Sequence, residues 1–312
     1  MIELIEQISE APAYMWVMYF LGAYPVVTAC YWIAASVVFY FHREVDDPAF
    51  YEIDEFPLVS ILVPAHDEEE IIVETVEALL DLDYPELEVL VVDDGSTDAT
   101  SRLLGPLADA GRIRLLTKLA NEGKAMALND ALPLLRGEFV LICDADGRPR
   151  RDALRWMVPH FVRVPRMAAV TGNPRVVNTT TLLAKLQAIE FSATVSVLRR
   201  AQAVWGRIMT FSGICTLLRK SAIESVGRFQ PDMATEDISL AWQLQTEFSD
   251  VRYEPRAVFA MQVPETLDGW WSQRTRWALG LAQVLRRYGP KLVDWRQRRM
   301  WPVFAEAVGS AL

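Results

Sequence analysis

Two acidic pairs in this chain have the residue types and the spacing that metal and nucleotide chemistry needs. Asp144 and Asp146 follow an apolar run, and on extended backbone two carboxylates at this spacing point to one side. Carboxylate oxygens suit Mg²⁺ or Mn²⁺, which is usually held by one or two carboxylates together with phosphate oxygens. Asp93 and Asp94 end an earlier apolar run in the same way. The pattern predicts a cation site for a phosphate-bearing substrate; two solvated loop acids are the alternative.

Three further charged groups could act on such a substrate. Lys124 follows Gly123 at a predicted helix start, where backbone amides and the helix dipole attract anions. Glu236 and Asp237 follow Thr235, a candidate helix cap, so both carboxylates would lie at a helix start. An ordinary aspartate, with a pKa of about 3.9, is a weak base. A helix amino end would lower that pKa and burial beside Glu236 would raise it, while a capped helix without chemistry stays the alternative.

The elements that must position these groups alternate between strand and helix. We predict strands at 59–63, 88–92, 113–116, 139–143 and 214–218. We predict helices at 68–82, 97–110, 124–135 and 179–205, and another beginning at 235. This alternation indicates an α/β fold with a mainly parallel sheet covered on both faces. Ligands bind beyond the carboxyl ends of such strands, where both acidic pairs fall.

The amino-terminal region has the composition of a membrane helix. Residues 11–41 contain no charged side chain, and about 20 apolar residues suffice to cross a bilayer. A signal peptide would begin with basic residues, whereas this chain has Glu3 and Glu6. We therefore expect a membrane segment at 1–42, against the alternative of a buried core helix. Residues 43–57 are expected to form a linker.

The carboxyl-terminal region has a different charge from the rest of the chain. The net charge of −10 argues against nucleic-acid binding. Residues 266–301, by contrast, are rich in arginine and hold five of the ten tryptophans. This composition predicts amphipathic helices at a membrane surface, with a solvated basic helix as the alternative. Residues 302–312 are expected to begin a further, truncated transmembrane helix, and the three cysteines show no metal or disulfide spacing.

Five short motifs in one order resemble those of the processive family-2 glycosyltransferases. They are Asp93-Asp94-Gly95-Ser96, Asn121-Glu122-Gly123-Lys124, Asp144-Ala145-Asp146, Thr235-Glu236-Asp237 and Gln273-Arg274-Thr275-Arg276-Trp277. The resemblance covers about residues 56–305 and implies a GT-A type catalytic domain at 58–265. It also implies a membrane-bound enzyme that uses a UDP-sugar and Mg²⁺ or Mn²⁺.

The resemblance implies a role for each motif residue. The acids at Asp93 and Asp94 would hold the uracil and ribose of the donor, and Asp94 is the one to which this role is carried over. Lys124 would contact a phosphate, and Asp144 and Asp146 would hold the metal beside the diphosphate. Asp237 would be the general base, with Glu236 beside it and Arg276 stabilising the departing diphosphate. The remaining predicted substrate contacts are Gln273, Trp277, which offers a ring face to a sugar, and the acceptor loop of Phe211, Ser212 and Gly213.

Two further runs look most like the bacterial synthases of β-1,6-linked poly-N-acetylglucosamine. They are Thr171-Gly172-Asn173-Pro174-Arg175 and 263–270. This likeness implies UDP-GlcNAc as donor, a growing glycan as acceptor, a plasma-membrane location with a cytoplasmic catalytic domain, and a role in biofilm matrix. It also implies a small accessory membrane subunit and control by cyclic di-GMP. His66-Asp67-Glu68-Glu69 stands where relatives often read Asn-Glu-Glu, so one donor contact stays open.

Other functions stay open at this point. A synthase of hyaluronan, chitin oligomers or cellulose would carry similar motifs. Transfer of a single sugar to a lipid carrier is disfavoured by Gln273, Arg276 and Trp277. A non-catalytic UDP-sugar-binding regulator is disfavoured by the intact acids, and a dehydrogenase by the lack of Gly-x-Gly-x-x-Gly after the first strand.

Overall fold

The computed structural model of this protein describes residues 12–45 and 48–311 of the 312. The acidic start of the predicted membrane segment and Asp46-Asp47 of the predicted linker lie outside the described residues.

The described chain forms one eight-stranded sheet. The strands are β1 Val59–Ala65, β2 Leu87–Asp93, β3 Arg114–Thr117, β4 Phe139–Ile142, β5 Arg148–Pro149, β6 Met167–Val176, β7 Thr216–Arg219 and β8 Asp250–Met261. Their spatial order is β3-β2-β1-β4-β7-β6-β8-β5. Strands β3, β2, β1 and β4 run parallel, as do β6 and β8, while β7 is antiparallel to both of its neighbours and β5 to β8. The sheet of the described chain is therefore mixed, with four parallel and three antiparallel strand pairs, and the expectation of a mainly parallel sheet is confirmed by the parallel majority.

The parallel half brings the carboxyl ends of its strands to one edge. Ala65 pairs with Asp93, and Asp93 pairs with Thr117 on the next strand. The strands predicted near 59, 88, 113, 139 and 214 all form, with shifted ends, because each is a short apolar run. The sequence reading missed β6 and β8: Gly172 and Pro174 interrupt the pattern of β6, and β8 carries four charged residues.

The helices cover both faces of this sheet. They are α1 Pro12–Phe39, α2 Pro48–Tyr51, α3 Ile72–Leu80, α4 Thr100–Asp109, α5 Lys124–Ala131, α6 Ala153–Arg163, α7 Leu182–Glu190, α8 Ser196–Val204, α9 Lys220–Ser225, α10 Glu236–Thr246, α11 Leu267–Tyr288 and α12 Trp301–Ala311. Side chains alternate across β4, so that Leu141 joins the core on one face while Val140 and Ile142 join the core on the other. The single helix predicted at 179–205 is α7 and α8, joined by a π-helical turn at Phe191–Val195.

The amino-terminal helix stands largely apart from both cores. The stretch Tyr14–Glu44 is 31 residues long, and only 6% of its most apolar window is buried. A core helix of a soluble domain would be mostly buried, so that alternative does not fit. The helix packs instead along α8, where Ser36 Oγ donates to Val197 O at 2.8 Å.

The region after β8 is helical, as expected. Helix α11 buries Val284 and Tyr288 against the domain and leaves Trp271 exposed. Two 3₁₀ turns, Gly289–Val293 and Trp295–Met300, lead into α12. Residues 302–312 were expected to begin a membrane helix; α12 buries Val303 and Ala307 against the rest of the structure. The membrane position of 266–312 stays a prediction.

Candidate active site

One ammonium group joins two of the predicted motifs. Lys124 Nζ lies 2.7 Å from Asp144 Oδ1 and 2.8 Å from Glu236 Oε1. Lys124 is the first residue of α5, Asp144 follows β4, and Glu236 opens α10. Burial disfavours the charge on Lys124, but the carboxylates of Asp144, Glu236 and Asp237 outweigh it and raise the pKa of the lysine. The lysine is therefore a fixed cation at the meeting point of three elements.

Asp237 lies in the same cluster. Its Oδ2 accepts a hydrogen bond from the Gly213 backbone N–H at 3.1 Å, and its Oδ1 accepts from the Ile238 N–H at 2.8 Å. Burial, followed by the charge of Glu236, raises the pKa of Asp237 to about 6, against the opposing effect of Lys124. The sequence left this direction open, and the structure gives burial the larger effect. A carboxylate with a pKa near 6 is a better proton acceptor at neutral pH than an ordinary aspartate.

Glu236 differs from its neighbour in its charge state. Burial raises the pKa of Glu236, but the ammonium of Lys124 outweighs burial and the net pKa is lowered. The positive charge of Arg276 also lowers the pKa of Glu236, by a smaller amount than Lys124 does. Adjacent acids with pKa values moved in opposite directions are typical of a site where one acid moves a proton and the other holds charge.

Thr235 is the N-cap residue of α10, but it does not cap by its side chain. Its backbone is extended, and its Oγ1 is buried without a hydrogen-bond partner in the described structure. The hydroxyl packs instead against Gly280 of α11, where a Cβ would collide with it. This corrects the predicted capping role. Through Thr235, helix α10, which carries Asp237, contacts helix α11, which carries Arg276.

The Asp144-Ala145-Asp146 motif lies in a turn, not on extended backbone. Strand β4 ends at Ile142, and the Gly147 N–H donates to Asp144 O at 2.9 Å. The strand-based argument for two carboxylates on one side was therefore wrong. The two acids still interact electrostatically, because burial and then the charge of Asp144 raise the pKa of Asp146 to about 6.

These carboxylates fit the demands of a divalent cation. They are oxygen donors two residues apart, and the positive charge of Lys124 does not offset the burial of Asp146 and its repulsion by Asp144. Glu68 adds a third acid, since burial and then Asp146 and Asp144 raise its pKa to about 7. The described residues contain no group of three or more His, Cys, Asp or Glu side chains that could hold a metal by themselves. A cation completed by phosphate oxygens is compatible with this donor set.

The two acids at the end of β2 have different environments. Asp94 Oδ1 lies 2.9 Å from Lys118 Nζ, and Asp94 Oδ2 accepts from the Gly123 N–H at 2.8 Å. Asp93 Oδ1 accepts from the Ser96 N–H, while Asp93 Oδ2 is buried with no hydrogen-bond partner in the described structure. Asp94 therefore fixes the loop that carries Lys124, and Asp93 retains an acceptor for a ligand.

Lys118 is a functional candidate that the sequence reading missed. Its side chain is 9% exposed, and besides Asp94 it contacts Glu122 at 2.8 Å and Asp130 at 3.1 Å. It directly follows β3, at the same edge of the sheet as the predicted acids. Its position at a strand end was the signal that could have identified it.

The loop after β1 is joined to the loop after β2. Asp67 Oδ1 accepts from the Thr97 N–H at 2.7 Å, and Glu69 Oε2 accepts from the Ala99 N–H at 2.8 Å. Two acids of the run that stands in place of the usual Asn-Glu-Glu, Asp67 and Glu69, therefore order the neighbouring loop by backbone contacts.

The Gln-x-x-Arg-Trp motif lies on α11. Arg276 is exposed and Trp277 is half-buried, with its ring 6.2 Å from that of Phe191. Gln273 Oε1 is buried without a partner among the described residues. Arg274 joins this helix to α7 through a bidentate ion pair with Glu190, with Nη1 2.7 Å from Oε1 and Nη2 2.6 Å from Oε2.

The predicted acceptor loop contacts the cluster directly. Phe211 is buried and anchors the loop, and the Ser212 carbonyl accepts from Thr216 Oγ1 at 2.8 Å. A Cβ built on Gly213 would lie 2.7 Å from Lys124 Nζ and 3.3 Å from Asp144 Oδ2. The backbone can approach these two groups so closely only because residue 213 has no side chain.

Comparison with known proteins identifies the family to which this chain belongs. Residues 57–280 match the model of "Glycosyltransferase like family 2". The chain is 38% identical over 272 residues to the poly-beta-1,6-N-acetyl-D-glucosamine synthase of Staphylococcus aureus (strain COL), covering 86% of this chain and 66% of the relative. It is 36% identical over 300 residues to the synthase of the same name from Staphylococcus epidermidis, covering 95% of this chain and 73% of the relative. The chain thus spans slightly less than two thirds of the length of the first of these relatives.

A solved structure has a similar fold. The mannosyltransferase PcManGT from Pyrobaculum calidifontis, in complex with GDP-Man and Mn²⁺, matches with a TM-score of 0.65 and 25% identity, over 92% of this chain and 85% of that one. This likeness and the family match confirm the expected α/β fold of GT-A type. The chain belongs to glycosyltransferase-like family 2, and the relatives named above are synthases of poly-β-1,6-N-acetyl-D-glucosamine.

Proposed function

We propose that this protein polymerises N-acetylglucosamine from UDP-GlcNAc into a β-1,6-linked glycan. The observation that carries the proposal is the position of Lys124 between Asp144 and Glu236, with Asp237 in the same cluster. This arrangement provides a proton acceptor and positive charge around one small volume. The named relatives are the ground for the sugar and the linkage.

The reaction is an inverting displacement. Asp237 takes the proton from the O6 hydroxyl of the acceptor as that oxygen forms a bond to C1 of the donor sugar. The bond from C1 to the diphosphate oxygen breaks, and UDP leaves with the electron pair. Lys124 and Arg276 stabilise the negative charge that develops on the diphosphate. Glu236 remains ionised beside Lys124 and helps to raise the pKa of Asp237.

Asp144 and Asp146 would hold Mg²⁺ or Mn²⁺ next to the diphosphate. A bound divalent cation neutralises charge on a leaving diphosphate. The similar mannosyltransferase is described as a complex with Mn²⁺, which supports a divalent cation here as well.

The other predicted roles belong to substrate binding. The uridine contact that was expected of Asp94 would fall to Asp93, whose buried Oδ2 has no hydrogen-bond partner among the described residues, while Asp94 orders the loop beside it. Gln273 and Trp277 would line the acceptor path, together with the loop of Phe211, Ser212 and Gly213. Helix α1 would cross the plasma membrane and hold the catalytic domain on the cytoplasmic side. A small accessory subunit and control by cyclic di-GMP stay predictions from the family resemblance.

The test is a transfer assay on membranes that contain the protein. Radiolabelled UDP-GlcNAc should give a high-molecular-weight product in the presence of Mg²⁺ or Mn²⁺, and a β-1,6-specific hexosaminidase should degrade it. UDP-glucose and UDP-glucuronic acid, supplied separately, test the alternative of a cellulose or hyaluronan synthase. A chitinase-sensitive product, or a product of one sugar on a lipid, would contradict the proposed polymer.

A further inference from the structure

A cavity separate from the motif residues lies between the end of α1 and the back of the catalytic domain. Its volume is about 350 Å³. Its walls come from the end of α1 and the following turn, from α2 and α6, and from β8. The residues that matter here are Phe39, Arg43, Phe50, Asp250, Arg252 and Arg299.

Three guanidinium groups line this cavity without a carboxylate partner. In the described part of the chain, Arg43, Arg252 and Arg299 form no salt bridge, although most other arginines of the catalytic domain pair with an acid or a carbonyl. Arg252 has one hydrogen bond, from Nη1 to His160 Nδ1 at 3.2 Å. An arginine can only donate, so His160 Nδ1 accepts and its Nε2 carries the proton.

The nearby acids do not supply the missing charge. Glu254 accepts from His160 Nε2 at 2.9 Å, from Tyr51 at 3.0 Å and from Arg256 Nε at 2.9 Å. The Glu254 carboxylate is therefore hydrogen-bonded to groups other than Arg252. Of the two acids that line the cavity, this leaves Asp250 to face the three guanidinium groups.

The positive groups also act on one another. Burial, followed by the guanidinium of Arg43, lowers the pKa of Arg252. Burial lowers the pKa of Arg207, Asp250 opposes that effect, and Arg299 lowers the pKa further. Arg43, Arg252 and Arg299 line the same cavity, and like charges that line one cavity are stabilised by an anion between them.

The position of the cavity limits which anion can enter it. Phe39 and Arg43 belong to the end of the 31-residue helix that has the length and hydropathy to cross a membrane. If α1 spans the bilayer, this end lies where hydrocarbon gives way to phosphate headgroups. Phe39, Phe50 and Met167 add apolar surface next to the arginines, which suits a molecule with both a phosphate and an acyl chain.

We propose that this cavity binds the phosphate headgroup of an anionic phospholipid, which would fix the catalytic domain against the membrane. The inference rests on the membrane position that the proposed function gives to α1. Arg43 and Arg299 would contact the phosphate from the open side, and Arg252 from the inner wall.

The experiment measures lipid binding in the absence of any UDP-sugar. The full chain, purified in neutral detergent, is titrated with short-chain phosphatidylglycerol, with short-chain phosphatidylcholine and with inorganic phosphate, and binding is followed by intrinsic tryptophan fluorescence. Phosphatidylglycerol should bind saturably, and at least tenfold more tightly than the other two probes. The double variant Arg43→Gln with Arg299→Gln should weaken that binding at least tenfold.

The matched control is Arg296→Gln with Arg298→Gln. It removes the same charge from two exposed arginines in the same region that do not line the cavity. This control should bind within twofold of the parent protein, and thermal unfolding should show that both double variants are folded. Equal binding of inorganic phosphate would assign the cavity to a soluble anion and overturn the lipid assignment. Equal loss in both double variants, or no binding by the parent protein, would also overturn it.

The outcome separates this inference from the proposed function. A protein that binds phosphatidylglycerol through Arg43 and Arg299 but makes no polymer would refute the function alone. A protein that makes polymer and binds no anionic lipid would refute the lipid site alone.

Discussion

Lys124 Nζ and Glu236 Oε1 lie 2.8 Å apart and so connect two motifs that are distant in the sequence. The same ammonium contacts Asp144, whose motif is the candidate metal site. Two acids of the site pair with this lysine. A donor diphosphate would compete for the same cation.

Replacing Asp237 by Asn removes the proposed base while keeping its size. Asp237→Asn should lower kcat by about 10²- to 10⁴-fold, the range that general bases contribute. UDP-GlcNAc affinity, measured by calorimetry, should change little. Asp232→Asn is the matched control, because Asp232 is exposed and pairs with Arg287 at the surface. Retention of full activity by Asp237→Asn would remove the proposed base.

The pH profile should report the pKa of Asp237. The base works only when it is deprotonated, and its pKa is raised to about 6. Polymerisation should therefore be constant at neutral pH and fall about tenfold for each pH unit below 6. Lys124→Met should move this acidic fall in activity to higher pH, because the lysine lowers the pKa of Asp237. Lys291→Met, at an exposed ion pair, is the control and should leave the pH at which activity falls unchanged.

Lys118 should support both stability and donor binding. Lys118→Met leaves Asp94, a buried carboxylate, without its cation, and breaking a buried pair costs about 3–5 kcal/mol. The midpoint of thermal unfolding should fall, and the KM for the donor should rise more than kcat falls. Lys185→Met, at an exposed position on α7, serves as the control. An unchanged melting temperature would show that the three acids around Lys118 do not depend on it.

Gly280 should be required for the packing of α11 against α10. Gly280→Ala places a methyl group where the Thr235 side chain now lies, next to Glu236 and Asp237. We expect a lower melting temperature and a loss of polymerisation. Gly105→Ala in α4 is the control, because a Cβ there meets no atom within 4 Å. That control should retain polymerisation and change the melting temperature less than Gly280→Ala does, because the next residue, Pro106, offsets the helix preference of alanine. Equal behaviour of the two variants would contradict the close approach of the helices.

The sequence allowed much of the parallel half of the sheet to be predicted. Strands β1, β2 and β4 are apolar runs that end on chemically active residues, so both the strands and the site at their carboxyl ends could be read from the pattern. The antiparallel half was not predictable in this way. Strands β6 and β8 mix apolar residues with glycine, proline and charges, and they form because their partners in space supply the hydrogen bonds.

The electrostatics of the site depended on contacts that no sequence motif contains. The motif predicted Asp237 as a base, but the direction of its pKa shift follows from burial and from the charge of Glu236, which together outweigh the opposing effect of Lys124. Lys118 was missed because a lone lysine in a loop is usually solvated, and here three acids from separate elements surround it. The two acids of the Asp144 motif were placed on a strand, whereas they lie in the turn that follows it.

The most direct test of the account is an experimental structure of the protein with UDP and Mn²⁺. The account predicts anomalous density for the metal beside Asp144 and Asp146, with the diphosphate within hydrogen-bond distance of Lys124 Nζ and the uracil near Asp93. A diphosphate bound elsewhere, with Lys124 still paired to Asp144 and Glu236, would contradict it.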